Sequence, residues 1–253
     1  ADSSFVYLSS KTDTSYENSN SVFLQEDYTY YTTHGSIDTK TISGTGLTES
    51  ITTTYEYDYF NSTEDDYPLR TTKETLTGAT SGLVRQTDYD YEALTGNLAS
   101  QEATNTTGTN PVITYTYDTY GNVASITDAR DKTTYFDYDT QINTYAVTLT
   151  KPSTELVSHI TEYPSIDFSF GKPLTFEDEN NYQTTYTYDA FGRVLTVNYP
   201  DGGQETYAYN DTAMPRSVTR GIKDGAASFI ETITYLDGFG RTIQTVSPGE
   251  VEY

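Results

Sequence analysis

Acid side chains recur in this chain at a fixed place. Asp58 and Asp118 follow Tyr55-Glu-Tyr57 and Tyr115-Thr-Tyr117, Asp189 follows Tyr186-Thr-Tyr188, and Asp237 follows Tyr235-Leu236. Carboxylates do acid–base chemistry when two converge within a few ångströms, whereas one per repeat is spread along the chain, so these acids read as turn-formers. His34 and His159 lie in different repeats with no acid cluster at ligand spacing, which points to packing or solvation. Glu64-Asp65-Asp66 and Glu177-Asp-Glu-Asn-Asn181 could attract Ca²⁺ weakly, yet neither matches the Asp-Xaa-Asp-Xaa-Asp-Gly loop that holds it. Cysteine is absent, which removes thiolate ligands, cysteine nucleophiles and disulfides together. No Ser-His-Asp set or Gly-rich phosphate loop is present, so neither an enzyme nor a cofactor is expected. One chemistry stays open: rows of tyrosine rings can stack on sugars.

The elements that place these residues follow from spacing. In Thr184-Thr-Tyr-Thr-Tyr-Asp-Ala-Phe-Gly-Arg-Val-Leu-Thr-Val197, Tyr186 and Tyr188 are two apart and share one face of an extended strand, with Thr185 and Thr187 on the other. Asp189-Ala-Phe-Gly192 reads as a tight turn, with Asp at its first position and Gly at the fourth, where positive φ is tolerated. Arg193–Val197 resumes a β-favouring run, so the unit is a hairpin. Tyr115-Thr-Tyr117-Asp118-Thr-Tyr-Gly121-Asn-Val123 is a close copy, and Leu236-Asp237-Gly-Phe-Gly240-Arg241 is another, with Leu236 in the second tyrosine's place. Tyr28–Tyr30, Tyr55–Asp58, Tyr89–Leu98, Tyr135–Asp139 and Tyr207-Ala-Tyr209-Asn210 are looser copies, and Glu162–Lys172 is the most degraded. The second aromatic position falls at 30, 57, 91, 117, 138, 163, 188, 209 and 236, steps of 21 to 34 residues. Two strands with short turns need about 20 residues, so each step is one hairpin. An all-β array of tandem hairpins is expected, with residues 1–27 as entry strands and 28–253 as the repeats.

Composition sets bounds on that array. Leu, Ile, Val and Phe together make about 19 % of a chain of net charge −23, a balance that elsewhere signals disorder. The 26 tyrosines argue for a fold, because they fall at period 2 beside turn signals and tyrosine favours strands while keeping a wet polar tip. Stability is then expected from aromatic cross-strand pairs rather than a thick aliphatic core. The negative charge disfavours nucleic acid and anionic membrane as partners, and no apolar run approaches a transmembrane helix. Without a signal peptide or initiator Met the chain reads as a piece of a longer polypeptide.

In chain order, Phe5–Leu8 and Ser21–Leu24 read as strands separated by the polar run Lys11–Asn20. Gly44-Thr-Gly46 reads as a hairpin turn, and residues 61–82 as a surface insertion with loop-like Asn61–Asp66 and Thr77–Gly82. Asn105–Pro111, Asp128–Asp131, Pro200–Gly203 and Gly221–Ala227 read as turns or loops. Pro152, Pro164 and Pro173 are expected at strand ends or edges, because proline lacks the ladder N–H. The triplets at Asn61, Asn105 and Asn210 fit a glycosylation acceptor, as chance would produce in a Thr-rich chain.

The phrase Tyr-Xaa-Tyr-Asp-Xaa-Xaa-Gly-Arg, as in Tyr186–Arg193, resembles the YD repeat of RHS-repeat proteins, which include bacterial Tc toxin B components, polymorphic RHS toxins and animal teneurins. Leu236–Gln244 is especially similar to the repeat opening of the Tc toxin B components. The resemblance covers roughly residues 28–247. It implies a strip of hairpins that forms part of a hollow shell around a toxic C-terminal polypeptide, in a protein that is secreted or on the bacterial surface. The implied partners are other segments of that shell and the enclosed polypeptide. The Asp-Pro-Xaa-Gly-Leu-like self-cleavage motif of such shells is missing here, so the resemblance carries over no catalytic residue. The repeats around 138 and 163 depart from the pattern, lacking the turn Gly or the Asp. A surface adhesion module that binds glycans through exposed tyrosines is the alternative reading.

Overall fold

The computed structural model describes residues 7–17, 20–59, 69–82, 84–105, 108–155, 157–225 and 228–248. Its described residues form β-strands and turns and no helix, and they divide into two compact units. The first, Ala1–Thr133, holds β1 (Ser10–Glu17), β2 (Asn20–Tyr30), β3 (Ile37–Gly44), β4 (Ile51–Tyr59), β5 (Leu69–Gly78), β6 (Val84–Tyr91), β7 (Leu98–Ala103), β8 (Val112–Tyr117) and β9 (Val123–Thr127). The second, Thr134–Tyr253, holds β10 (Thr133–Tyr138, entering at the boundary), β11 (Ala146–Thr154), β12 (Val157–Asp167), β13 (Lys172–Glu177) and β14 (Gln183–Tyr188). It continues with β15 (Val194–Asn198), β16 (Gln204–Asn210), β17 (Arg216–Asp224), β18 (Ser228–Leu236) and β19 (Thr242–Val246). Within each unit every strand pairs antiparallel with the one before it and the one after it in sequence.

The two faces are built differently. The Tyr186 and Tyr188 rings stack at 6.5 Å and 14° on one face, as do Tyr55 and Tyr57 at 6.5 Å and 26°. On the other face the residue between the tyrosines bonds across the hairpin through its hydroxyl. Thr187 Oγ1 meets Thr196 Oγ1 at 2.6 Å, Thr116 Oγ1 meets Ser125 Oγ at 2.7 Å, and Thr29 Oγ1 meets Thr39 Oγ1 at 2.7 Å. Among the described residues Val197 is the one buried apolar side chain. Cross-strand pairs, each worth about 0.2–1 kcal/mol, therefore hold the sheet in place of a core.

Several segments differ from their sequence reading. The polar run after Ser10 is itself β1, paired residue for residue with β2, because Thr12 and Thr14 alternate at the strand period and pairing does not require apolar side chains. Within the expected insertion at 61–82, Leu69–Gly78 is the long strand β5; Asn61–Asp66 lies outside the described residues. Gly221 sits inside β17, opposite Thr206 and Glu231. A Cβ there would stand 2.7 Å from Thr206 Oγ1, so this glycine serves close approach and the turn begins only after Asp224. Pro152 and Pro164 lie within strands at register shifts, between Lys151 and Thr154 in β11 and between Glu162 and Ser165 in β12. Pro173 is in β13 beside a further shift. A bulge breaks the regular ladder, which is what lets proline sit there.

Candidate functional site

The repeated turn is built by its first aspartate. Asp118 N–H donates to the Asn122 carbonyl (2.9 Å) and the Asp118 carbonyl accepts from Gly121 N–H (3.2 Å). Asp118 Oδ1 then accepts from the N–H groups of Tyr120 (2.8 Å) and Asn122 (2.9 Å). The same bonds recur at Asp189, from Phe191 and Arg193, and at Asp237, from Phe239 and Arg241. Gly121, Gly192 and Gly240 hold φ of 88°, 73° and 79°, the left-handed residue that closes a type I turn into a bulged hairpin. The side-chain bond from Asn122 holds the Asp118 carboxyl below its ordinary range. At Asp189 burial pushes the other way, and the N–H of Arg193 and its guanidinium outweigh it, so that carboxyl also titrates low.

The repeats that lack the expected Asp or Gly build longer turns that are also capped by an aspartate. Asp139 accepts five backbone N–H bonds, from Gln141, Ile142 and Asn143 on Oδ1 and from Thr144 and Tyr145 on Oδ2. Its burial raises the carboxyl and those donors overcome it, leaving the group strongly acidic. Asp167 starts the next turn, accepting from Ser169 N–H at 2.9 Å. Asp128 and Asp178 do the same at the opposite hairpin ends, where Asp131 (φ 57°) and Asn181 (φ 62°) stand in the glycine's place. In the four-residue turns the wider signal is Asp-Xaa-Xaa-(Gly/Asn/Asp), and a search for Gly alone misses those at Asp128 and Asp178.

The second tyrosine of the motif ties one hairpin to the preceding one. Tyr117 Oη donates to the Leu98 carbonyl (2.8 Å), Tyr188 Oη to Pro173 (2.7 Å) and Tyr209 Oη to Val194 (3.0 Å). Tyr30, Tyr57 and Tyr91 reach Leu8 (2.8 Å), Ile37 (2.9 Å) and Thr71 (2.7 Å). In each pair of strands the backbone ladder stops short of that carbonyl: β7–β8 ends at Ser100↔Thr114, β13–β14 at Thr175↔Thr185, β15–β16 at Thr196↔Thr206. The hydroxyl takes over where strands part, satisfying a carbonyl the ladder leaves open. Where Leu236 replaces the tyrosine, β17 and β18 stay paired to the end, Arg216↔Leu236 included. Burial raises the hydroxyl pKa of Tyr57, Tyr91, Tyr117, Tyr188 and Tyr209. The first tyrosine at Tyr207 meets a carboxylate instead of a carbonyl. Tyr207 Oη donates to Glu205 (2.5 Å), which also accepts from Tyr199 and pairs with Arg220 at 2.7 Å. Arg220 first, then Tyr207, lower the Glu205 carboxyl to about 2. Tyr115 and Tyr186 are half-buried on the same face.

The residue after the turn glycine adds a second tie. Arg193 places Nε on Asp189 (2.7 Å), its Nη atoms on Asp211 of the following hairpin (2.9–3.0 Å), and its guanidinium over the Tyr209 ring at 4.1 Å. Lys172 donates to the Gly192 carbonyl at 2.6 Å, and the Phe170 ring lies where a Cβ on Gly192 would stand, 2.8 Å away. Arg241 pairs with Asp237 at 2.7 Å and lies 5.4 Å from the Phe239 ring.

Other candidate chemistry disperses or stays bound in structure. Glu177 accepts from Gln183, Asp178 caps its turn, and Glu179 pairs with Lys151 and His159, so that acidic run does not converge. His34 accepts from Ser36 N–H and packs against Tyr31 and Tyr57. Thr154 Oγ1, His159 and Glu179 form a hydroxyl–imidazole–carboxylate chain with both contacts at 2.7 Å, which spacing along the sequence does not reveal. Thr154 is exposed and takes no part in the 520 Å³ cleft lined by Tyr138, Asp139, Glu162, Tyr163, Ile166 and Phe168. The chain of bonds therefore ties β11, β12 and the turn after β13 together. Glu64–Asp66, the whole Asn61 triplet and the last two residues of the Asn105 triplet lie outside the described residues.

This geometry, a once-per-hairpin Tyr-Asp-Gly unit, defines a tandem hairpin protein. Residues 169–204 match the RHS Repeat family, so the chain carries that repeat there. No curated protein sequence matches it. In fold it is similar to the structure of a Photorhabdus luminescens Tc holotoxin pore carrying a TccC3 mutation, with a TM-score of 0.57, 15 % identity and 92 % of this chain covered. It is also similar to TcdB2-TccC3 without its hypervariable C-terminal region, with a TM-score of 0.51, 14 % identity and 87 % covered. The chain spans 12–13 % of the length of those chains.

Proposed function

We propose that this chain is a non-catalytic wall segment of a secreted or surface-displayed bacterial RHS-repeat shell, and that the shell encloses a toxic polypeptide attached to the same parent. The observation that carries the reading is the coincidence of an RHS repeat at 169–204 with a fold similar to Tc toxin structures along most of the chain. The mechanism is steric. Hairpins latched edge to edge by tyrosine hydroxyls form a continuous wall, and the wall keeps an enclosed chain from outside proteases. Its partners are further shell segments and that enclosed chain.

The test is the denatured intact mass of the native parent protein, with limited proteolysis before denaturation. The proposal expects a second, smaller polypeptide outside the repeats that separates only on denaturation and survives the protease until the wall is opened. A lone uncleaved chain with no protected segment would overturn it. One observation favours the adhesion reading: Tyr120, Phe191 and Phe239 stand exposed at turn tips, as rings that stack on sugars must. Saturable binding to a defined glycan, lost in Tyr120→Ala or Phe239→Ala, would support that reading over the shell.

A further inference from the structure

One joint in the second unit lacks its tyrosine. Ile166 stands in the second tyrosine's place: it precedes the turn aspartate Asp167 and pairs with Pro173, as Tyr188 precedes Asp189 and pairs with Val194. The positions before it keep their usual roles. Tyr163 meets Phe176 with ring centroids 5.5 Å apart, Ser165 Oγ meets Thr175 Oγ1 at 3.2 Å, and Pro164 is the extra residue in the register shift between Glu162 and Ser165. The β11–β12 ladder stops at Thr148↔Glu162, two residues short of Ala146, as β13–β14 and β15–β16 stop two short of Pro173 and Val194. Those two carbonyls receive the hydroxyls of Tyr188 and Tyr209. Isoleucine has no hydroxyl to give the Ala146 carbonyl, and Ala146 is exposed where Pro173 and Val194 are half-buried.

The space for the missing ring is open. A pocket of 140 Å³ is lined there by Tyr145, Ala146, Tyr163, Ile166, Gly171 and Pro173, and Tyr163 and Ile166 also line the 520 Å³ cleft. A cavity of about 150 Å³ is enough for a benzene ring. The platform for a ring is present as well. In three intact joints the residue before the accepting carbonyl covers the tyrosine: Arg70 lies 4.7 Å from the Tyr91 ring, Lys172 5.6 Å from Tyr188 and Arg193 4.1 Å from Tyr209. Before Ala146 that residue is Tyr145, which lies against Gly171, 2.6–2.8 Å from where a Cβ would stand, with Phe168 beside it at 6.1 Å between rings.

We infer that this pocket binds a p-hydroxyphenyl group, its ring in the place of the missing side chain against Tyr145 and its hydroxyl donating to the Ala146 carbonyl. Aromatic pairs gain from offset or edge-on contact beyond the area they bury. A ring without a hydroxyl would cover the carbonyl and leave it unsatisfied, so the hydroxyl sets the specificity. The group can belong to a free phenol or to a tyrosine of another polypeptide. The inference holds whether or not the wall encloses a cargo.

The test titrates the full chain with p-cresol, toluene and N-acetyltyrosinamide, followed by ligand-observed NMR. Saturable binding of p-cresol is expected, with toluene about 2–10-fold weaker for want of one hydrogen bond. Ile166→Tyr supplies the missing side chain and should abolish p-cresol binding while raising the urea midpoint of unfolding. Ile166→Phe, which fills the space without a hydroxyl, should block binding with a smaller gain in stability. Ile222→Tyr, at an exposed isoleucine of β17, should leave binding unchanged, and circular dichroism checks that each variant is folded. Tighter binding of N-acetyltyrosinamide than of p-cresol assigns the site to a tyrosine of a polypeptide, and the reverse order to a free phenol; either supports the proposal. No saturable binding of either phenol, equal binding of toluene, or p-cresol binding unaffected by the two Ile166 variants would overturn it.

Discussion

The Tyr117 hydroxyl donates to the Leu98 carbonyl at 2.8 Å, two residues beyond the last backbone pair between β7 and β8. The bond turns a repeat motif into a joint. Asp118 fixes the turn that follows, the Tyr117 ring stays half-buried on one face, and its tip satisfies the carbonyl of the hairpin before. With little apolar burial in either unit, these polar joints carry a larger share of the fold than they would beneath a packed core.

The two turn glycines should respond differently to the same substitutions. Gly121 has positive φ and open space where a Cβ would go, whereas the Phe170 ring would stand 2.8 Å from a Cβ on Gly192. Gly121→Asn is expected to cost under about 1 kcal/mol, because Asn and Asp tolerate the left-handed region, as Asn181 does here at φ 62°. Gly192→Asn adds a steric clash and should cost about 1–3 kcal/mol more. Gly→Val at either site should cost more than Asn. Urea unfolding of the four variants checks the order.

Much of this was legible in the chain itself. Period-2 tyrosines and Asp-Xaa-Xaa-Gly turns place the hairpins β8–β9 and β14–β15 nearly to the residue. The strands β1 and β5 were hidden because their pairing rests on threonines and backbone rather than apolar side chains. The prolines misled because bulges, which depend on the neighbouring strand, decide whether a missing N–H matters. Asp167 is hidden because the tyrosine anchor, Tyr163, stands four residues before it, and the turn after Asp139 because its positive-φ residue, Asn143, comes one position late and is not glycine. The hydroxyl joints were beyond reach of the sequence: each links residues from adjacent hairpins, and only the parting of two strands creates the open carbonyl.

Alkali should open the fold through its tyrosines. Burial raises the hydroxyl pKa of Tyr57, Tyr91, Tyr117, Tyr188 and Tyr209 above the ordinary 10. A raised folded-state pKa gives stability that is fully present below pH 10 and lost as pH rises through the folded value. Absorbance at 295 nm should show part of the tyrosine titration coinciding with loss of β-sheet circular dichroism above pH 10. Ordinary titration of every tyrosine with the sheet intact would count against it.

Acid should act through Glu205 and Glu49. Glu205 is held at about 2 by Arg220 and Tyr207, and Glu49 at about 2 by hydrogen bonds from Ser81 and Thr80. Both are lowered from 4.5, so the stability they contribute is present above that value and declines as pH falls toward 2. Glu205→Gln should flatten the acid limb of a Tm–pH profile between about pH 4.5 and 2 and lower Tm at neutral pH. An unchanged profile would show that the Arg220 pair is too screened to matter.

Arg193 should couple two turns energetically. Its bonds to Asp189 and Asp211 predict that Arg193→Gln and Asp211→Asn are non-additive, because each removes the same contact. A double-mutant cycle should return a measurable favourable coupling that shrinks in 1 M salt, and a coupling of zero would leave the pair a surface coincidence.

The most direct measurement compares the two tyrosines of the motif by denaturant unfolding. Tyr117→Phe/Tyr188→Phe removes two hydroxyl–carbonyl joints and keeps the rings; Tyr115→Phe/Tyr186→Phe makes the same chemical change one position earlier on each strand face. The first pair should lose about 1–3 kcal/mol in total, at 0.5–1.5 kcal/mol per bond, and the second well under half of that. Equal losses, or none from Tyr117→Phe/Tyr188→Phe, would contradict the claim that the second tyrosine's hydroxyl joins neighbouring hairpins.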